Sequence, residues 1–283
     1  MLRRFDVHRA TTVAEAVDLR QRFGEDAAVY AGGTELLLAM KMGVARWPHL
    51  IDVKPIVALG EITVTKDTLC IGATATHWTI ERDANVARVL PALARLEANV
   101  ANVRVRAAGT LAGNLAFAEP HADPPSLLMA LGARVVLEGK KGRRTLAVAE
   151  LITGMYTTTI AEDEIIVAIE VPLPAKDVRA AYVKFQILER PSVGVAAVAN
   201  VRDGRFVGAP TVVVGAVDEM PRRVDTAQFA GADARETRTR EAIGESARSA
   251  VEPTADLAGS VEYKRHLVSV FAQRALTQLM ASA

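Results

Sequence analysis

Residues 106–132 read RAAGTLAGNLAFAEPHADPPSLLMALG, and the rest of the chain is organised around them. The stretch opens on a small-residue loop, GTLAGN at 109–114. It then passes through DPPS at 123–126 into a short apolar helix over 127–131 that Gly132 closes. Gly109 and Gly113 are expected to let the backbone take positive φ and approach a ligand closely. Thr110 and Asn114 add short polar groups, and the N–H groups of such a loop suit an anion. Asp123 is placed to cap the helix that Pro124 and Pro125 begin. A second glycine loop lies upstream, AGGTE at 31–35, between an apolar strand and a helix. Together the two loops are expected to clasp the pyrophosphate of one dinucleotide.

Working outward, the segment before the upstream loop reads as a βαβ unit. Residues 5–9 form a strand. Thr12 caps a helix with Val13, Ala16, Val17 and Leu19 on one face, and Glu15 completes a capping box. Gly24 ends that helix, and 27–31 is a short apolar strand of the kind buried in a parallel sheet. A helix over 35–42 carries Leu36, Leu37, Met40 and Met42 and stops at Gly43. Residues 49–53 give a third strand. The upstream loop therefore joins strand to helix, which aims N–H groups and a positive helix end at whatever sits there. It lacks both the Gly-Lys-Ser/Thr of a P-loop and the G-x-G-x-x-G of a Rossmann turn. Taken alone, it reads equally well as a tight turn with no ligand.

From Ile62 the pattern becomes β-rich, with strands over 62–65 and 69–72 about a Lys66-Asp67 turn. Helices follow from Thr76, carrying His77, Trp78 and Ile80, and from Pro91 to about residue 98. After Gly132 come a strand over 133–138, the basic turn GKKGRR at 139–144 and a return strand over 146–148. A strand over 163–172 is ended by Pro172 and Pro174. The turn is read as a solvated hairpin. Beyond a boundary near 175, residues 180–184, 192–202 and 211–217 form an antiparallel sheet whose middle strand is almost wholly apolar. Residues 233–250 are charged and helical, and their mixed signs indicate a salt-bridged surface. The last helix, 261–280, presents Leu267, Val270, Phe271, Leu276 and Leu279 as a docking face.

The totals exclude several function classes. The chain has 283 residues and a net charge of +1, from 34 basic and 33 acidic side chains, so nothing draws it to nucleic acid or anionic lipid. Its one cysteine, Cys70, cannot form an internal disulfide or hold an iron–sulfur cluster, and is read as a small core residue. No signal peptide is recognisable and no run approaches the roughly eighteen apolar residues of a membrane span, so a cytoplasmic protein is expected. The histidines are scattered, with no metal pair. His121, Asp123 and Ser126 lie too close along one turn to make a triad and lack a G-x-S-x-G elbow. No side-chain set forms a self-sufficient active site, so no catalytic residue or metal is assigned, and a cofactor is expected to do the chemistry.

At this point the residues meet a family. Ala31-Gly32-Gly33-Thr34-Glu35-Leu36 resembles the first flavin loop of the FAD-binding subunits of molybdenum hydroxylases. That group includes the medium subunit of aerobic carbon monoxide dehydrogenase and the flavin domain of xanthine dehydrogenase. Thr110-Leu111-Ala112-Gly113-Asn114-Leu115, followed by Asp123, resembles the second loop, with Ala112 where the family commonly has glycine. Ile165 and Ile166, and Lys184, also match family positions close to the flavin. The resemblance implies an α+β chain in which FAD binds between two subdomains, residues 1–57 and 58–175. Their fold is that shared with p-cresol methylhydroxylase and vanillyl-alcohol oxidase, and a C-terminal antiparallel sheet with helices follows over 176–283.

By the same resemblance, Gly32, Gly33, Thr34 and Glu35 hold the pyrophosphate from one side and Thr110, Gly113 and Asn114 from the other. Asp123 takes ribityl or ribose hydroxyls, Ile166 packs on the isoalloxazine, and Lys184 sits near its polar edge. A small subunit with two [2Fe–2S] clusters feeds the FAD, a large molybdopterin subunit hydroxylates the substrate, and an external acceptor takes the electrons. One or two heterotrimers are expected. The alternatives are a free-standing flavin oxidoreductase of the same superfold and a non-enzymatic binding module whose glycine loops are only turns.

Overall fold

Three short parallel strands open the chain in a computed structural model that describes residues 2–187 and 189–281. Asp6–Arg9 and Ala27–Tyr30 flank His49–Asp52. Helix Val13–Phe23 connects the first pair in sequence and Leu36–Met42 the second, the crossovers that parallel strands require. The Thr12 hydroxyl accepts from the Glu15 N–H at 3.1 Å. The Glu15 carboxylate reaches back mainly to the N–H of Thr11, at 2.7 Å, one residue before the expected cap, and backbone hydrogen bonds, from Thr11 first and then from Thr12, favour its charge.

A five-stranded antiparallel sheet follows, in the order Ile62–Val64, Thr68–Gly72, Ile165–Pro172, Arg134–Gly139, Gly142–Ala147. Its central strand, Ile165–Pro172, is apolar on both faces because both are covered. Ile165 and Val167 pack with Ala16 and Val17 of the first helix. Ile169 and Val171 pack with Leu93, Leu111 and Leu127. Cys70, expected in the core, is instead half-buried: it pairs with Thr63 on the face opposite Leu69 and Ile71. Strand alternation puts those two neighbours inside and turns the thiol outward. Between Gly72 and Arg134 the chain runs as short helices, including His77–Arg82, Pro91–Glu97, Val103–Ala108, Leu111–Phe117 and Pro124–Ala130.

A further sheet pairs Val178–Gln186 with Pro191–Arg202 and the latter with Thr211–Gly215, all antiparallel. Val193, Val195, Ala197, Ala199 and Val201 share a core with the helices Thr237–Ser249 and Val261–Ala281. Ala196, on the other face, belongs to the core of the preceding region, against helix Pro124–Ala130. This double burial is why the strand carries so few polar residues. In the charged segment Arg248 pairs with Glu245 at 3.6 Å and with Glu262 at 3.5 Å, the surface ion pairs its mixed signs predict. Among the described residues no helix is long and apolar enough to cross a membrane.

Candidate functional site

The strand Ala27–Tyr30 delivers the chain into residues 31–35, and the helix that follows begins at Leu36. Gly33 holds φ at +69°, a conformation side chains disfavour, and its carbonyl accepts from the Leu37 N–H at 3.0 Å. The N–H groups of Gly32, Gly33, Thr34 and Glu35 have no protein acceptor among the described residues. Lys54 steadies the loop's start: its ammonium lies 3.3 Å from the Ala31 carbonyl oxygen and 3.6 Å from the centroid of the Tyr30 ring.

The second loop is shorter than its sequence suggests. Helix Val103–Ala108 ends at Gly109, Thr110 is already an N-cap, and Leu111–Phe117 is helical. The Thr110 hydroxyl accepts from the Gly113 N–H at 3.0 Å. Neither Gly109 (φ −63°) nor Gly113, inside the helix, takes the positive φ expected of it. Their smallness matters instead. A Cβ on Gly109 would stand 2.9 Å from the Val105 carbonyl oxygen and 3.4 Å from the Thr34 hydroxyl, and one on Gly32 only 2.2 Å from the Ala108 carbonyl oxygen. The two glycine loops therefore touch one another. A Cβ on Gly113 would crowd the Thr110 hydroxyl at 2.9 Å and meet nothing else within 4 Å.

Beside this junction lies a cleft of about 560 Å³, within the range of cofactor sites. Ala31, Gly32, Gly33, Thr34, Glu35 and Leu36 line it from one side, and Thr110, Gly113 and Asn114 from the other. Asp123, Ile165 and Ile166 complete the predicted lining, and of the residues expected at the site only Lys184 does not line it. Asn114 Oδ1 is buried with no protein partner, an orphaned acceptor inside the cleft. Free loop donors, a bare Gly113 surface and an unpaired amide oxygen fit an elongated, polar, anionic cofactor such as FAD.

Asp123 does not cap its helix. Its buried carboxylate accepts from the Tyr182 hydroxyl at 2.7 Å and from the Lys184 ammonium at 3.0 Å, and Lys184 also donates to the Asn99 carbonyl at 2.7 Å. Burial pushes the Asp123 carboxyl up, against Lys184 and Tyr182, which favour its charge. Burial, with Asp123 beside it, pushes the Tyr182 phenol well up. His121 binds Glu119 and Ser126 Oγ has no partner, so the three residues that superficially suggest a hydrolase do not assemble.

Three further features at the cleft are not legible in the sequence. His77 Nδ1 lies 2.5 Å from the fully buried Glu97 carboxylate, while the His77 backbone N–H donates to the Gly109 carbonyl at 3.0 Å and fixes the second loop. Glu119 gathers the Tyr156 hydroxyl at 2.8 Å, His121 Nδ1 at 3.1 Å and Arg190 Nη1 at 2.8 Å. Burial opposes charge on Glu119, but His121, Tyr156 and Arg190 outweigh it and hold the carboxyl at about 2. Arg190 Nη2 also lies 3.2 Å from both oxygens of Glu35. Apart from the His121 bond, each contact spans tens of residues or more, beyond any local motif.

Known proteins share this architecture. The domain family described as the FAD binding domain in molybdopterin dehydrogenase matches residues 3–174, and the CO dehydrogenase flavoprotein C-terminal domain matches 189–279. The carbon monoxide dehydrogenase medium chain of Hydrogenophaga pseudoflava is 33% identical, over 98% of each chain. The nicotine 6-hydroxylase medium subunit of Paenarthrobacter nicotinovorans is 29% identical, over 94% of each. Among solved structures, the carbon monoxide dehydrogenase of Hydrogenophaga pseudoflava that lacks the Mo-pyranopterin moiety of its cofactor superposes with a TM-score of 0.95. That match has 32% identity and covers 99% of both chains.

Proposed function

Because this chain belongs to the family of FAD-binding subunits of molybdopterin dehydrogenases, we propose that it is the electron-transferring flavoprotein subunit of a multi-subunit molybdenum hydroxylase. The observation that carries the reading is the pair of touching glycine loops, with unpaired N–H groups and the orphaned Asn114 oxygen on one cleft. The N–H groups of Gly32, Gly33, Thr34 and Glu35 bind the pyrophosphate from one side, and the helix start at Thr110, Gly113 and Asn114 binds it from the other. Asp123 accepts from ribityl or ribose hydroxyls. Ile165 and Ile166 supply an apolar wall for the ring system, with Ala31 and Leu36 beside the first loop. Lys184 acts from behind Asp123, keeping that carboxylate charged and oriented.

When bound, FAD supplies redox chemistry between [2Fe–2S] clusters on a small partner subunit and an external acceptor. Substrate hydroxylation belongs to a large molybdopterin subunit. The chain's single cysteine suits that division, as clusters and molybdopterin then lie on other chains of a heterotrimer or a pair of heterotrimers. The relatives named for carbon monoxide and for nicotine share this kind of subunit, which suits a substrate site elsewhere in the assembly. We place the assembly in the cytoplasm and the unit boundaries near residues 57 and 175.

The test is a visible absorbance spectrum of the purified protein before and after denaturation, with iron and molybdenum assays on any chains that co-purify. The expected result is flavin bands released as FAD, and their near-complete loss in Gly113→Val, whose side chain crowds the Thr110 cap at 2.9 Å and projects into the cleft, with circular dichroism checking that the variant stays folded. A colourless folded protein that refuses added FAD overturns the reading. Flavin without iron or molybdenum on companion chains leaves a free-standing flavoprotein instead.

A further inference from the structure

Arg190 stands 155 residues from Glu35 and 71 from Glu119 along the chain, yet it binds both. It lies just before the strand Pro191–Arg202, so it brings a side chain of the C-terminal region to the cleft. The cleft has a charge problem that this contact answers. Glu35 occupies the loop whose N–H groups face an anion, and its side chain is 36% exposed; Glu119, 8% exposed, follows the helix that begins at Thr110. A pyrophosphate bound in this cleft would share it with two carboxylates, and like charges repel unless a cation intervenes.

We propose that Arg190 is a charge-balancing positioning residue of the cleft. By binding Glu35 and Glu119 together it screens their field from the anion site and draws the C-terminal region onto the first glycine loop and the turn that follows helix Leu111–Phe117. This role rests on the FAD reading above. Its geometry uses the guanidinium fork: Nη1 holds Glu119 and Nη2 spans the Glu35 oxygens, which one ammonium cannot reproduce. The two ends differ. Glu119 is also fixed by Tyr156 and His121 and is the anchor; Glu35 has no other side-chain partner among the described residues and is the charge to be neutralised.

The experiment is FAD titration of the flavin-stripped full-length protein, in the assembly with which it purifies, at low and high salt. Arg190→Ala is expected to weaken FAD about tenfold or more, the scale of a lost charged contact. The deficit should narrow as salt screens the exposed carboxylates. Glu35→Gln placed in the Arg190→Ala protein should recover most of the loss, and Arg190→Lys should fall between. Glu35→Gln alone should tighten FAD several-fold, which keeps the proposal testable if Arg190→Ala does not fold. Wild-type affinity in Arg190→Ala, no recovery in the double variant, or unchanged or weaker binding in Glu35→Gln each overturn it. If the wild-type protein itself takes no FAD, the flavin reading falls and this proposal with it.

Discussion

Replacing Gly32 by alanine puts a methyl carbon 2.2 Å from the Ala108 carbonyl oxygen, 2.8 Å from its carbonyl carbon and 2.7 Å from Gly109 Cα. Non-bonded carbon contacts settle near ~3.5–4.0 Å, so the two loops must part by roughly 1 Å. No rotamer change relieves the clash, because every obstructing atom is backbone. That backbone is held: Gly109 N–H donates to the Val105 carbonyl at 2.6 Å, and the Gly109 carbonyl accepts from His77 N–H. Overpacking with a backbone shift costs ~1–3 kcal/mol, and the rigidity of this site argues for the upper half of that range. For a chain of 283 residues that is a fall of about 3–5 °C in melting midpoint. Thermal melts of flavin-free protein, followed by circular dichroism, measure the fold; FAD titration measures the cleft. Gly60→Ala is the control, since its Cβ would meet only the Thr74 hydroxyl at an ordinary 3.5 Å. If Gly32→Ala melts with the wild type and keeps its flavin, the loops are not in contact and do not build the cleft together.

Two other outcomes follow from the buried charges. Asp123→Asn leaves the Lys184 ammonium beside a neutral amide and should cost about 3 kcal/mol in denaturant unfolding, with FAD affinity falling in parallel. An unchanged unfolding midpoint would show that the pair carries no stability. For Glu119, the folded carboxyl titrates at about 2 against an ordinary 4.5, so the folded state binds fewer protons between those values. Its contribution, up to about 3 kcal/mol, is complete above pH 4.5 and is lost as pH falls toward 2. Acid unfolding of Glu119→Gln should be correspondingly shallower in that window, and identical slopes would rule the pairing out.

The first glycine loop is legible in the sequence because every signal agrees: an apolar strand, paired glycines, then an apolar helix stopped by Gly43. Its neighbour is half legible. Gly109 and Gly113 announce a close approach, but a glycine within a helix looks like a glycine within a loop. Only the Thr110 cap, bonded to the Gly113 N–H, shows where the helix starts. Asp123 stands out as a polar residue at the site, yet its sequence points to the wrong local partner. Preceding a proline pair, it resembles a cap, whereas its hydrogen bonds go to Tyr182 and Lys184, about sixty positions away. Cys70 shows a different limit: an apolar run hides which face of a strand each residue takes. Arg190 leaves no trace at all, since an arginine before a proline in a loop has many uses and only the folded chain brings two carboxylates to it.

The strand Pro191–Arg202 has a bearing on how such chains can be recombined. It is apolar toward its own helices and also toward Pro124–Ala130, the helix that Asp123 introduces, while its neighbour Val178–Gln186 supplies Tyr182 and Lys184. The C-terminal third is thus not a detachable module. Cutting the chain near residue 175 would strand an acidic group without its counter-ion and bare a greasy helix to water. Grafting that third from a relative would succeed only when the donor's inward residues match the recipient's helix, so compatibility of the two parts is set at this seam rather than at the linker joining them.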